Sequence, residues 1–225
     1  MIQTIFLGGL GVIAETSELH RKSFNMAFQE MKLPVYWSQE KYQLLLKYPG
    51  GLQRVSDYLS RYHPEHQNMT EKVYQAKQEY FEYLLRLDDV NVRPGIDTLI
   101  SASLQKQIRL FIVSTTQEHA IVNVLKACNI PFEAIERVFS ADDITQPKPS
   151  PDIYIHACSV LSIHRDDVMA IEDSASGVAA ACSALVPCYA FPGENTQSDD
   201  YSKAEGVLER ADDILVTRHL HTRAG

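Results

Sequence analysis

Apolar residues recur at helical spacing through the first third of the chain. Phe24 and Phe28, one helical turn apart, lie on the apolar face of the first such segment. Strand-like alternation of apolar and polar residues is absent between residues 15 and 90. The pattern therefore predicts a small helical bundle in this region. Its predicted helices cover residues 17–32, 38–48, 52–61 and 70–87.

After Arg93-Pro94-Gly95, short apolar runs alternate with helical segments. Continuous apolar runs are typical of parallel strands that are buried on both faces and connected by helices. We therefore predict an α/β fold whose parallel sheet is covered by helices on both faces. Its predicted strands cover residues 4–7, 110–113, 138–139, 168–171, 186–191 and 214–216.

Three of the predicted strand ends carry residues that suit a phosphate site, and ligands of such sheets bind at the carboxyl ends of the strands. Ser114 and Thr115 directly follow one strand, and their hydroxyl groups can donate to phosphate oxygens beside a helix N-terminus. Lys148 lies between prolines, which restrain its backbone and make its ammonium a positioned cation. Glu172 and Asp173 follow another strand and offer the oxygen ligands that Mg²⁺ prefers.

Each of these segments also has a purely structural interpretation. Ser114 and Thr115 can belong to a helix cap, and so can Glu172 and Asp173 with the serine that follows them. Lys148 can lie in a solvated, proline-rich turn. The functional interpretation is favoured by position, because all three segments follow predicted strands at the edge where ligands bind.

The charge of the chain excludes some classes of partner. Its 225 residues include 21 basic and 29 acidic side chains, which gives a net charge of −8, and no basic block is present. Nucleic acid is therefore not an expected partner. No apolar run reaches 18 residues, so we expect no membrane span. An anionic ligand must be held by a few local cations and backbone dipoles.

Cysteine usage favours a reducing compartment. The chain has four cysteines and no C-x-x-C pair: Cys128, Cys158, Cys182 and Cys188. We interpret them as reduced packing residues and expect a cytoplasmic protein.

The order of these segments resembles the haloacid dehalogenase superfamily, in its phosphatase and β-phosphoglucomutase-like subgroup, over nearly the whole chain. The segments that carry the resemblance are residues 11–16 (Gly-Val-Ile-Ala-Glu-Thr), Arg93-Pro94-Gly95, Ser114, residues 148–154 (Lys-Pro-Ser-Pro-Asp-Ile-Tyr) and residues 171–178 (Ile-Glu-Asp-Ser-Ala-Ser-Gly-Val). In addition, Trp37, Tyr42, Gly50-Gly51 and Arg54 resemble the cap of phosphatases that act on sugar bisphosphates.

The resemblance implies a Rossmann-like core formed by residues 1–14 and 93–225, with an inserted helical cap at 15–92. In this family one aspartate attacks the phosphoryl group, and a second, two residues on, acts as acid and base. The serine and the lysine stabilise the transferred phosphoryl group, which assigns phosphate binding to Ser114, Thr115 and Lys148. Glu172 and Asp173 are implied to hold Mg²⁺, and Arg54 to contact the substrate from the cap.

The two aspartate positions of the family fall on Gly8 and Leu10, and the first aspartate of the chain is Asp57. Glycine cannot attack a phosphoryl group and leucine cannot transfer a proton. We therefore predict that the standard chemistry is absent and that Mg²⁺ binds weakly. The resemblance also implies that His20 lines the cleft between cap and core. It is the nearby candidate for a general base, with an interface hydrogen bond as the structural alternative.

Three hypotheses follow from this combination. The first is a pseudo-phosphatase that binds a phosphorylated ligand without turning it over. The alternative is a hydrolase, phosphatase or phosphomutase-like, that acts on a sugar phosphate or another small substrate through an unusual nucleophile. The third is a stable scaffold whose site has no remaining function. The sequence alone does not define the oligomeric state.

Overall fold

The computed structural model describes residues 3–46, 50–87 and 90–217. The chain divides into two compact units. One comprises Met1–Glu15 together with Val90–Gly225, and the other comprises Thr16–Asp89. We call them the α/β unit and the helical unit. The domain boundaries assigned from the sequence, 1–14 with 93–225 and 15–92, stay a prediction.

The α/β unit is built on a parallel sheet of six strands in the order β3-β2-β1-β4-β5-β6. Strand β1 lies in the middle, between β2 and β4, and all four of its residues are buried. The predicted α/β class with a parallel sheet is confirmed. The strands are β1 Thr4–Leu7, β2 Arg109–Val113, β3 Arg137–Phe139, β4 Val168–Glu172, β5 Cys188–Ala190 and β6 Gly206–Val207.

Five helices of the α/β unit connect these strands or follow them. The parallel pairing requires such crossovers, because a tight hairpin joins only antiparallel neighbours. The order of the chain brings the carboxyl ends of β1, β2 and β4 to one edge of the sheet. The helices are α1 Leu10–Ile13, α6 Ile96–Lys106, α7 Glu118–Ala127, α8 Asp152–Leu161 and α9 Ala175–Ser183.

The last predicted strand, residues 214–216, is wrong. These residues belong to a 3₁₀ helix, Ala211–Val216, in which Ile214 is buried. The carboxylate of Asp213 accepts from the backbone N–H of Arg210 at 2.9 Å, which stabilises the helical turn. A three-residue apolar run does not distinguish a strand from a buried helical turn. The sixth strand is instead β6, which contains Gly206, a residue type depleted in strands.

The helical unit contains four helices and a 3₁₀ segment, Pro64–Met69, and the described part of residues 16–87 contains no strand. The four predicted helices are confirmed in type and position. The last two residues of the second predicted helix, 47–48, lie outside the described residues. The helices are α2 Ser17–Glu30, α3 Gln39–Leu46, α4 Gly51–Tyr62 and α5 Thr70–Leu87. No helix in the described ranges is long and apolar enough to cross a membrane.

An aromatic cluster around Trp37 forms the core of the helical unit. The Trp37 side chain is fully buried, and its ring centroid lies 4.8 Å from those of both Phe24 and Phe28. Tyr42 and Tyr58 contact the same indole at 6.0 and 5.4 Å. These rings come from α2, α3 and α4, so their burial holds the three helices together.

The four cysteines are free thiols. Cys188 is buried and the other three are half-buried. Burial raises the pKa of all four, and this disfavours the reactive thiolate, as expected for packing residues.

Arg93 joins distant segments of the α/β unit. Its guanidinium donates to the backbone oxygens of Gly11 at 2.6 Å, Phe191 at 2.9 Å and Pro192 at 2.6 Å. It also pairs with Glu15 at 3.2 Å and stacks on the Phe191 ring, with 3.6 Å to the ring centroid. The sequence marked Arg93 only as part of a boundary, whereas its planar set of donors fixes the chain before and after the cap insertion.

We predict that Arg93→Ala lowers the free energy of unfolding by about 3 kcal/mol, because three buried or half-buried backbone carbonyls and Glu15 lose their donor. Arg93→Lys keeps the charge but not the planar donors, so we expect an intermediate loss. Urea unfolding of the purified variants measures both. The matched control is Arg109→Ala, which breaks the exposed pair with Glu136 and should cost less than about 1 kcal/mol. An Arg93→Ala loss no larger than that of the control would contradict the prediction.

Candidate functional site

Lys148 brings three strand ends together. Its ammonium donates to the backbone oxygen of Gly8 after β1 at 2.5 Å and to that of Val113 at the end of β2 at 2.8 Å. It also donates to Oε1 of Glu172 at the end of β4, at 2.6 Å. Lysine has three donors, so this set uses the whole capacity of the ammonium. The structural alternative for Lys148, a solvated turn, is therefore wrong: the side chain is 5% exposed.

Glu172 is the anionic partner of Lys148 and is 1% exposed. The hydroxyl of Tyr154 on α8 donates to the same carboxylate oxygen. Burial raises the pKa of Glu172 to about 7, and the Lys148 ammonium opposes part of this rise. The pair is thus a desolvated cation and anion that satisfy each other, with a tyrosine as third member.

The end of β1 offers no carboxylate to this site. Gly8 has no side chain, and Leu10 is a buried leucine at the start of α1. A Cβ added to Gly8 would overlap the carboxylate of Glu172, and so would one added to Gly177. The Glu172 carboxylate therefore fills space that a side chain at position 8 would use. Asp173 approaches in the same way and would overlap a Cβ on Gly11.

Ser114 lies at the end of β2, where the sequence placed a phosphate donor. Its side chain is buried, and its Oγ accepts from the backbone N–H of Thr116 at 3.1 Å. Thr115 is half-buried. The helix that follows begins at Glu118 with Gln117 at its N-cap, so neither residue caps it. A phosphate-binding role for Ser114 and Thr115 stays a prediction.

The residues present do not form a magnesium site. Glu172 is committed to Lys148 and Tyr154, and burial raises the pKa of Asp173, which disfavours its charged form. Within residues 3–46, 50–87 and 90–217, no group of three or more His, Cys, Asp or Glu side chains lies close enough to hold a metal ion. Mg²⁺ is commonly held by one or two carboxylates and water, and here one of the two, Glu172, already has the Lys148 ammonium as its partner.

In the helical unit, the imidazole of His20 lies with two basic side chains, Arg54 and Lys77. The ring of His20 stacks on Phe81 at 4.0 Å, and its buried Nδ1 has no hydrogen-bond partner among the described residues. Arg54 donates from Nε to the backbone oxygen of Leu45 at 3.0 Å. Lys77 is 5% exposed, and its ammonium donates to the neutral side chain of the adjacent Gln78 at 2.8 Å. We call His20, Arg54 and Lys77 the cation cluster.

His20 and Lys77 are desolvated, and the neighbouring positive charges further disfavour their protonated forms. Burial lowers the pKa of His20 well below its usual value, and the charges of Lys77 and Arg54 lower it further. Burial also lowers the pKa of Lys77 to about 7, and Arg54 adds to this. Among the described residues, the charges that shift these two groups are all cationic. An anion bound here would relieve both effects.

Lys77 was missed in the sequence, although its position carries a signal. Val73, Lys77 and Phe81 follow one another at intervals of four on α5, so the lysine lies in the apolar stripe of the helix. A lysine in such a stripe is buried with its charge or extends to water along its aliphatic chain. Periodicity does not separate these outcomes.

The sequence matches the haloacid dehalogenase-like hydrolase family over residues 11–191. It is 32% identical over 212 residues to the protein CbbY of Cereibacter sphaeroides, an alignment that covers 93% of this chain and 92% of that protein. The CBBY-like protein of Arabidopsis thaliana is 29% identical over 211 residues, which cover 88% of this chain and 66% of that protein.

A solved relative gives the same result in three dimensions. The crystal structure of CbbY from Rhodobacter sphaeroides in complex with phosphate has a TM-score of 0.85 and 31% sequence identity, and covers 93% of this chain and 95% of that chain. An aspartate-to-asparagine mutant of the same protein was crystallised with xylulose-(1,5)bisphosphate. The chain described here therefore belongs to the haloacid dehalogenase-like hydrolase family.

Proposed function

We propose that the chain binds a phosphorylated sugar, of the sugar bisphosphate class, through the cation cluster. The observation that carries the proposal is the desolvation of His20 and Lys77 beside Arg54, where the charges that shift the pKa of these two groups within the described residues are all cationic. Buried cations in proteins are paired, shift their pKa or bind an anionic ligand. The complex of CbbY with xylulose-(1,5)bisphosphate supports this class of ligand.

We further propose that the bound ligand is not hydrolysed through an aspartyl phosphate. Gly8 and Leu10 stand where the resemblance places the two catalytic aspartates, and neither can attack or transfer a proton. The committed pair of Lys148 and Glu172 supports this proposal, because both groups already satisfy each other at the strand ends. Support for the proposed absence of hydrolysis comes from these residues and not from the comparisons.

The relatives favour a second candidate function, a hydrolase that acts on a sugar phosphate through an unusual nucleophile. The chain belongs to a hydrolase family, and its similarity to CbbY extends over nearly its full length. The comparisons therefore support the enzymatic alternative better than a pseudo-phosphatase. A nucleophile for this function is not evident at the end of β1.

For ligand binding, we predict that xylulose 1,5-bisphosphate raises the melting temperature of the wild-type protein. At a hundred times its Kd, the ligand should raise the free energy of unfolding by about 2.7 kcal/mol. Arg54→Met and Lys77→Met should each weaken binding by about tenfold or more, because each removes a desolvated cation that faces the anion. Inorganic phosphate is the second probe. The matched control is Arg61→Met, an exposed position on the same helix as Arg54. Equal affinities for the Arg54 and Arg61 variants would reject the cation cluster as the binding site.

For activity, we predict no phosphate release from xylulose 1,5-bisphosphate above the blank, with or without Mg²⁺, since loss of a nucleophile costs on the order of 10⁶-fold in turnover. Phosphate release by the purified wild-type protein is the measurement. Release that depends on Mg²⁺ and disappears in Lys148→Ala would establish the second candidate function and reject the first. Binding without release supports the proposal as stated.

For pH dependence, Lys77 gives a signed prediction. Its pKa is about 7 in the folded state and about 10.4 when unfolded, so the unfolded chain binds the extra proton between these values. Stability relative to Lys77→Met should therefore rise with pH from about 7 to about 10, by at most about 1.4 kcal/mol per unit, and should be flat below pH 7. Urea unfolding of both proteins at several pH values gives the difference.

The control for this series is Lys72→Met, an exposed lysine on the same helix. It removes a lysine from this helix and leaves Lys77 in place, so the pH dependence assigned to Lys77 should persist in it. Parallel curves for wild type and Lys77→Met would contradict a buried lysine with a lowered pKa.

A further inference from the structure

The space beside Gly8, after β1, is filled by the carboxylate of Glu172 from β4. Gly8 has an ordinary backbone conformation, and a Cβ placed there would overlap the end of the Glu172 side chain. The same carboxylate end blocks a Cβ on Gly177, at the start of α9. Two glycines therefore make room for one buried acid. Because the blocking atoms are the end of a flexible side chain, a new side chain at position 8 would move Glu172 and not the backbone.

Lys148 depends on this carboxylate. Its other two acceptors are neutral backbone oxygens, those of Gly8 and Val113. The buried ammonium therefore takes its anionic partner from Glu172 at 2.6 Å. A divalent cation would need the same oxygens, and two cations a few ångströms apart on one carboxylate repel each other strongly in a buried site.

We infer that Lys148 is the resident cation of this site, and that it excludes Mg²⁺ by holding Glu172. A carboxylate introduced at position 8 would pair with Lys148, displace Glu172 and leave it beside Asp173 as a cation ligand. Three carboxylates would then surround a site that now has two. The inference concerns a metal site and does not depend on whether a sugar phosphate binds to the cation cluster.

The decisive experiment is a titration of Mg²⁺ into the purified wild-type, Gly8→Asp and Gly8→Asn proteins. Calorimetry measures the affinity, and the melting temperature with and without Mg²⁺ is the second measurement. Asparagine is the matched control, because it displaces Glu172 by its size but supplies no charge for Lys148. We expect Gly8→Asp to bind Mg²⁺ at least about tenfold more tightly than either of the other two proteins. Circular dichroism establishes that each variant is folded.

A second variant tests the inference without a change at position 8. Lys148→Ala removes the resident cation and leaves Glu172 and Asp173 with uncompensated charge. We expect Mg²⁺ to raise the melting temperature of Lys148→Ala more than that of wild type. The inference is overturned if wild type binds Mg²⁺ as tightly as Gly8→Asp does. It is also overturned if Gly8→Asp or Lys148→Ala is folded but binds Mg²⁺ no better than wild type. If Gly8→Asp does not fold, Lys148→Ala decides.

Discussion

The ion pair between Lys148 and Glu172 is the interaction on which the organisation of the strand ends depends. It lies where β1, β2 and β4 terminate, and it is almost fully removed from water. A buried charge without a partner costs several kcal/mol, so neither group can change its state without a consequence for the other. Tyr154 and the backbone oxygens of Gly8 and Val113 complete the hydrogen bonds of the pair. The charges and hydrogen-bonding groups of this pair are therefore satisfied by other groups of the protein.

Three buried cations of this protein differ in the partners that surround them. Lys148 has a carboxylate, and Arg93 has three backbone carbonyls, Glu15 and an aromatic face. Lys77 has one neutral acceptor and cationic neighbours, so burial lowers its pKa to about 7. The first two arrangements stabilise the fold, because desolvation is compensated by fixed partners. The third reduces stability, because burial of the Lys77 ammonium beside Arg54 disfavours its charged form.

The two units differ in the surroundings of their buried charges. In the helical unit Lys77 lies beside Arg54, whereas at the strand ends of the α/β unit Lys148 is paired with Glu172. The similarity to CbbY covers both units, so overall relatedness does not report on one residue such as Gly8. A substitution at a single position can change the chemistry of a site, while a fold depends on many positions.

Much of the fold and part of the site were predictable from local sequence. The helical period of the apolar residues identified the four helices of the helical unit, because each helix buries one face. Continuous apolar runs identified five of the six strands, because parallel strands are buried on both faces. Strand ends gave the position of Ser114, Lys148 and Glu172, since the parallel order fixes their common edge. The absence of aspartate before Asp57 is read directly from the order of residues in the chain.

Tertiary structure alone decided which groups meet. Lys148 and Gly8 are 140 residues apart, and no local pattern shows that the lysine takes Glu172 or that this carboxylate fills the space beside Gly8. The burial of Lys77 depends on rings from other segments, such as Phe24, that face it in the folded chain. The short strand β6 forms because β5 offers it an edge, although Gly206 has little intrinsic preference for a strand. The pattern of apolar residues thus determined most of the helices and strands. Long-range packing determined the partner of each buried charge.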